Sequence, residues 1–335
     1  TVAMERSFFQ RAGGRQLVFQ VPGEKELCGG INGRIFLHAP DSLTHLKDVD
    51  PVRIGKAIVA RKPLRDILER REQKGAYGWT LCTLPTPELA SQARTTPELY
   101  TEQIVRACYL DRRDPVGEWE TIRRNATAIK EWLSGLKAAF FHIESRGCDL
   151  KITPGAKRKW AGVSGHNIPS FELFVSPDWR GTEGTFYADF PSFRSGNLVE
   201  GVGLTFAKGT VVQFCAEKGE PFLAGQIRMD RGASRVGEFS LTDRRFSRID
   251  RFMADTLFDE NFGGPHGNCH IAVGASYADT YAGDPAGLTA ARKRQLGFNR
   301  SALHWDLVNT EDKRVTAHLA GGGQIAIYEN GRFTH

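Results

Sequence analysis

The stretch Asp114–Cys148, DPVGEWETIRRNATAIKEWLSGLKAAFFHIESRGC, decides how the rest of the chain is read. Asp114 followed by Pro115 is a helix start: a side chain that caps free N–H groups, then a proline whose missing N–H is no loss in the first turn. Val116, Trp119, Ile122, Ala126, Ile129, Leu133 and Leu136 then recur at steps of three and four, which places them on one stripe of a helix packed against a core. Ala138–Ile143 follows as a short, strand-like apolar run, and Gly147 closes the segment. A helix feeding a strand is the unit from which an α/β layer is built.

Working outward, the same signals recur upstream. Asp50 and Pro51 open another helix, and Arg34–His38 and Tyr77–Leu84 read as strands. Downstream of Gly147 the runs are short and β-rich: Asp149–Thr153, Ser170–Val175, Thr185–Phe190, Val199–Phe206 and Thr210–Ala216. Lys208 with Gly209, and Asn330 with Gly331, are hairpin turns. One helix is expected to interrupt these strands, from about Arg245 to Phe258. The change of texture within Ser145–Cys148 predicts two domains, a helix-rich α/β domain over 1–147 and a β-rich α+β domain over 148–335.

Composition excludes several classes. Of 335 residues 40% are apolar and 25% charged, which is the balance of a chain with a packed core and not of a disordered or fibrous one. No apolar run approaches the roughly 18 to 20 residues of a membrane-crossing helix. Glu5, Arg6, Arg11 and Arg15 interrupt the opening residues, leaving no apolar centre for a secretory signal, and a cytoplasmic protein with no membrane contact is expected. The six cysteines, at 28, 82, 108, 148, 215 and 269, lack zinc-finger or CxxC spacing and are expected to be reduced core thiols. Residues 1–160 hold 27 basic against 19 acidic residues, and the remainder 18 against 20. The basic surplus includes alternating signs such as Arg65, Asp66, Glu69, Arg70, Arg71 and Glu72, the mark of a solvated helix face, and no nucleic-acid partner is expected.

Familiar catalytic signatures are missing. There is no GxxxxGK[ST], no GxSxG and no HExxH, and Gly201-Val202-Gly203 lacks the third glycine of a dinucleotide loop. What remains are ionisable residues set in apolar strand-like surroundings, where charge is costly unless compensated. In Ser301–Val308, SALHWDLV, His304 and Asp306 project to one face of a strand while Leu303, Trp305 and Leu307 fill the other. That pair suits a divalent cation and equally suits a simple hydrogen bond. Glu172, inside Phe171–Phe174, either points to solvent or is stabilised by a cation. Glu238 lies between Gly237 and Phe239; His270, in GNCHIAVG, also reads as a core histidine; and Tyr277 reads as a buried tyrosine with a bonded hydroxyl. Three carboxylates and two imidazoles together have the composition of a site for two divalent ions with one bridging carboxylate, a site able to hydrolyse an amide.

Eight ordered blocks then carry a resemblance: IPSFELFVSP at 168–177, GTFYADFPS ending at 192, VEG at 199–201, AEKGEPFL from 216, GASRVGEFSL from 232, LFDEN from 257, HIAVGASY from 270 and SALHWDLV at 301–308. In order and spacing they are similar to the thermophilic aminopeptidases, metallopeptidases of the aminopeptidase T and aminopeptidase S kind. PLRDILERREQKGAYGWTLCTLPTPELA at 63–90 and the helix after Asp114 also look like that family's first domain. The resemblance implies a metallo-aminopeptidase, a homodimer whose second domain, 148–335, is catalytic and acts on peptides. It implies two divalent ions per subunit (zinc, cobalt, manganese or magnesium) on Glu172, Glu238, His270, His304 and Asp306, with Glu238 as bridging ligand or general base. Tyr277 takes the place of a tyrosine beside the metals that donates to the oxyanion. Glu260 matches a further ligand or base position, or is a helix-end charge.

Two departures accompany the resemblance. Compared with the family, the chain is expected to lack roughly the first strand and helix units of the amino-terminal domain. The loop NFGGPHGNC adds a second histidine, His266; His270 is preferred because HIAVG continues as a strand and keeps Tyr277 seven residues on. Two rival functions stand beside the leading one: a different two-metal hydrolase, which needs cations near the site such as Arg235 or Arg244, and a catalytically silent scaffold.

Overall fold

Asp50 accepts a hydrogen bond from the Val52 N–H at 2.9 Å, and Pro51 begins the helix Pro51–Gln73. In the computed structural model, which describes Thr1–His335, this helix is the crossover between the parallel strands Gly33–His38 and Gly78–Thr83. Asn167–Ile168 adds a short third parallel strand beside the second. Asp114 repeats the capping at the helix Pro115–Gly135, accepting from Gly117 N at 3.0 Å. Ile122, Ala126, Ile129 and Leu133 of its stripe are buried; Val116, in the first turn, is exposed.

The strand Ala138–Ser145 belongs to a nine-stranded sheet, pairing with Asp149–Ile152 on one side and Lys313–Leu319 on the other. That sheet therefore runs across position 147. Strands Asn197–Ala207 and Thr210–Lys218 form its hairpin at Lys208 and Gly209, whose φ values of 50° and 73° are the left-handed pair a tight hairpin turn requires. The chain-end hairpin uses Asn330 and Gly331 in the same way, at 52° and 73°.

A second sheet has four antiparallel strands: β1 (Glu172–Val175), β2 (Val236–Thr242), β3 (Asn268–Gly274) and β4 (His304–Asn309), in the order β4-β3-β2-β1. Its apolar face packs on the nine-stranded sheet, with the Phe239 ring 5.9 Å from Phe141 and 5.7 Å from Trp160. One continuous buried cluster joins Leu89, Tyr100 and Ile122 to Phe141, Phe239 and Trp305, so helices from the first half and both large sheets share a core.

The helix expected over Arg245–Phe258 does not form; only Thr256–Asp259 is helical. The reason is competition for backbone groups. The Asp259 carboxylate accepts from Met253 N at 2.7 Å and Asp255 N at 3.0 Å, and Ser247 Oγ accepts from Ile249 N. The carbonyls of Phe246, Arg248 and Met253 are taken by Tyr109, Gln103 and Tyr100. A helix does form at Glu220–Ile227, opened by Gly219 and Pro221. The cysteines form no disulfide; Cys28, Cys108, Cys148 and Cys269 are buried, but Cys82 is only partly covered and Cys215 is exposed. No helix is long and apolar enough to cross a membrane.

Candidate metal centre

Strand side chains alternate between faces, so ladder register decides which residues meet. Glu238 stands opposite Ala272 and Ala272 opposite Asp306; His270 stands opposite Ser240 and Val308, Gly274 opposite His304, and Glu172 opposite Thr242. Glu172, Glu238, His270, His304 and Asp306 therefore occupy one face of the four-stranded sheet. Leu173, Phe239, Leu241, Ile271, Trp305 and Leu307 occupy the other, which is the core. Between Val236 and Glu238 the register shifts, leaving Gly237 as the extra residue of a bulge. A Cβ at Gly237 would lie 2.2 Å from the Ala275 carbonyl oxygen, so close backbone approach demands glycine there. Ala272, between Glu238 and Asp306, adds only a methyl group and leaves the space above it to the carboxylates.

The ligand-type atoms fall into two overlapping triads, Glu172-Glu238-His270 and Glu238-His304-Asp306, with all atoms in a triad within 4.8 Å of one another. Glu238 belongs to both. His270 Nε2 lies 3.2 Å from Glu172 Oε2, 3.2 Å from Glu238 Oε1 and 3.9 Å from Asp306 Oδ1. His304 Nε2 lies 3.3 Å from Asp306 Oδ1, and its Nδ1 is 2.9 Å from the Ala275 carbonyl. A backbone carbonyl accepts only from a protonated Nδ1, so the neutral imidazole presents its Nε2 lone pair to the site. Glu172 is buried and does not face solvent, and Ser240 Oγ donates to its Oε2 at 3.2 Å.

These residues fit divalent cations. Glu238 Oε2 and His270 Nδ1 are buried without a hydrogen-bond partner, and several carboxylates gather on one face with too few cations among them. Burial, with the neighbouring carboxylates, lifts Glu238 to about 7 despite its hydrogen bond to His270. Burial opposes charge on His304, but Asp306 beside it wins and raises the imidazole to about 9. Asp306 is held down at about 2 by His304 and His270, against the cost of its own burial.

Glu260 is buried beside this cluster, accepting from Asn167 Nδ2 at 3.3 Å. Burial first, then the charges of Glu172 and Asp306, raise its carboxyl well above the ordinary range. Tyr277 departs from the expectation of a buried ring with a bonded hydroxyl, since the residue is 42% exposed. Its ring lies 4.5 Å from that of His304, and its phenol is kept protonated by burial of the hydroxyl end and by Glu238, Asp306, Glu260 and Glu172. His266 lies outside the cluster, facing Asp312. Arg235 stacks on Trp179, and Arg244 donates to the Pro265 carbonyl; neither joins the cluster.

Sequence reasoning missed the supports. Asn261 Oδ1 accepts from both Phe171 N and Glu172 N, at 2.6 and 3.0 Å, and so fixes the start of β1. Its place directly after Glu260 was the available signal. Ser240, two residues after Glu238, shares its face by simple alternation. Arg194 lies close enough to Asp306 to feel its charge, and an arginine in FPSFRSG carried no periodic signal to mark it.

The chain is 29% identical over 308 residues to aminopeptidase T of Thermus aquaticus, covering 86% of this chain and 73% of that protein. It is 28% identical over 336 residues to aminopeptidase AmpS of Bacillus subtilis, covering 94% of this chain and 80% of the relative. The solved structure of wild-type AmpT from Thermus thermophilus superposes with a TM-score of 0.80 at 24% identity, covering 100% of this chain and 85% of that one, and so shares the fold. The family profile described as thermophilic metalloprotease (M29) matches residues 1–333. With a match over essentially its whole length, the chain belongs to the M29 family of thermophilic metalloproteases.

Proposed function

We propose that this protein is a metallo-aminopeptidase that releases first residues from peptides, using two divalent ions held by Glu172, Glu238, His270, His304 and Asp306. The observation that carries the reading is that Glu238 is common to both ligand triads on one largely buried sheet face, where it could serve two ions at once. The names of the two aminopeptidase relatives support the choice of substrate. Bound ions of this kind supply a strong nucleophile from water near neutral pH and polarise the scissile carbonyl. With Glu238 held as a ligand common to both triads, Glu260, buried beside them and bonded to Asn167, would take the proton of the attacking water and pass it to the leaving amine. Tyr277, kept as a phenol, donates to the developing oxyanion.

The finer expectations belong to the same proposal: zinc, cobalt, manganese or magnesium as the ions, broad preference for uncharged or basic first residues, a homodimer and a cytoplasmic setting. The decisive experiment strips the protein with chelator, measures metal content, and follows release of the first residue from a free and an acetylated peptide. Activity on the free peptide alone, lost with chelator and restored by zinc, cobalt or manganese, is the expected result. Full activity in a metal-free sample, or equal cleavage of the acetylated peptide, would refute it.

A further inference from the structure

Beside the metal centre lies a cavity of about 440 Å³, toward the small end of the roughly 300 to 1,000 Å³ typical of small-ligand pockets. Asn167 and Glu260 line it, as do Leu43 and Leu81, and so does Arg194. The cavity thus touches the proposed general base at one residue and a guanidinium at another.

Arg194 has no protein partner. Its Nε is buried without an acceptor, the guanidinium forms no ion pair, and the Trp305 ring lies 5.6 Å from Cζ. Asp306, Arg65 and Tyr277 are within range of its charge, and with the guanidinium 5.6 Å from the core-facing Trp305 ring it sits at the edge of the site. Of these only Asp306 is an anion, and a carboxylate engaged by divalent ions has little charge left to offer. Arg65 is turned away, donating to the Ala302 carbonyl at 2.7 Å. A buried Nε without an acceptor is costly, and the planar fork that carries it is matched by a carboxylate.

We propose that Arg194 binds a carboxylate of the substrate in this cavity, making the protein selective for short peptides whose free α-carboxylate reaches Arg194 while the first peptide bond lies at the metal centre. The inference rests on the aminopeptidase reading. A di- or tripeptide suits the small volume, and the side chain of an acidic first residue is the other source of the same group.

The test compares wild type, Arg194→Gln and Arg194→Lys on Leu-Leu, Leu-Leu-amide and Glu-Leu-amide, with calorimetric binding of the same compounds in parallel. For Leu-Leu, Arg194→Gln is expected to raise KM about tenfold or more with kcat little changed, and Arg194→Lys to recover part of it, as loss of a charge-assisted pair requires. Leu-Leu-amide, which has no carboxylate to offer, is expected to lose several-fold less than Leu-Leu. A loss confined to Glu-Leu-amide would identify the acidic side chain as the carboxylate read. Equal losses on all three compounds, or none, would overturn the proposal. Turnover of Leu-Leu-amide by wild type reports on the aminopeptidase reading separately, and calorimetry tests Arg194 even if no compound is cleaved.

Discussion

His304 and Asp306 are two residues apart on an edge strand, and their surroundings prepare each as a ligand in a different way. The Ala275 carbonyl fixes the imidazole tautomer, and Asp306 is held ionised beside it. Replacing His304 by Ala or Asp306 by Asn is expected to lower both bound metal and turnover, read by metal analysis alongside kinetics. Tyr277→Phe is expected to separate the two quantities. Losing one oxyanion donor costs about 3 kcal/mol, roughly a hundredfold in kcat, while metal content stays at the wild-type level. If Tyr277→Phe turned over at the wild-type rate, the phenol would have no part in the chemistry.

At the scale of elements, strand alternation in SALHWDLV foretold the two faces of β4, and the caps at Asp50 and Asp114 foretold two helices. Most of the helix expected over Arg245–Phe258 is absent because the backbone of Arg245–Asp255 is claimed by Asp259, Ser247 and side chains more than a hundred residues away in sequence. Such long-range partners leave no local trace. Asp259→Ala would strand the N–H groups of Met253 and Asp255, and each unpaired buried donor costs about 1 to 3 kcal/mol. Urea unfolding is expected to show a loss of at least that size. The convergence of Glu172 with β2 was likewise unreadable from spacing, since β1 and β2 are more than sixty residues apart and meet only through pairing.

A further element-scale expectation concerns pH. His166 Nε2 lies 3.0 Å from Glu72, and its ring stacks on Trp79 at 4.5 Å, tying the helix Pro51–Gln73 to the segment leading into Asn167. The hydrogen bond to Glu72 raises the histidine pKa against the effect of burial. A raised folded-state value means the contact contributes fully below the unfolded value, about 6.5, and fades as pH rises through the folded value. The stability gap between wild type and His166→Gln is therefore expected to be larger at pH 6 than at pH 9. At about a third exposure the gap should be no more than about 1 kcal/mol.

For the molecule as a whole, the shared core and the sheet that crosses position 147 make the two halves of the chain depend on each other. Ala138–Ser145 is flanked on both sides by strands from the second half, one of them Lys313–Leu319. Calorimetry is expected to give one cooperative unfolding transition. A chain ending at Gly147 is expected to leave that strand without neighbours and to aggregate through it, as unpaired strand edges do. Two separate transitions, or a soluble folded 1–147 fragment, would contradict this.

Gly237 joins these scales. Glu238 and Phe239 are consecutive, one turned to the acids and the other to the oily interior, and the inserted glycine sets the frame in which both are correctly aimed. Deleting that one residue would force either Val236 off Val273 or Glu238 off Ala272, since the two pairings need the extra residue between them. An amino acid with no side chain thereby keeps the reaction chamber and the hydrophobic packing in phase, so an error in either is an error in both.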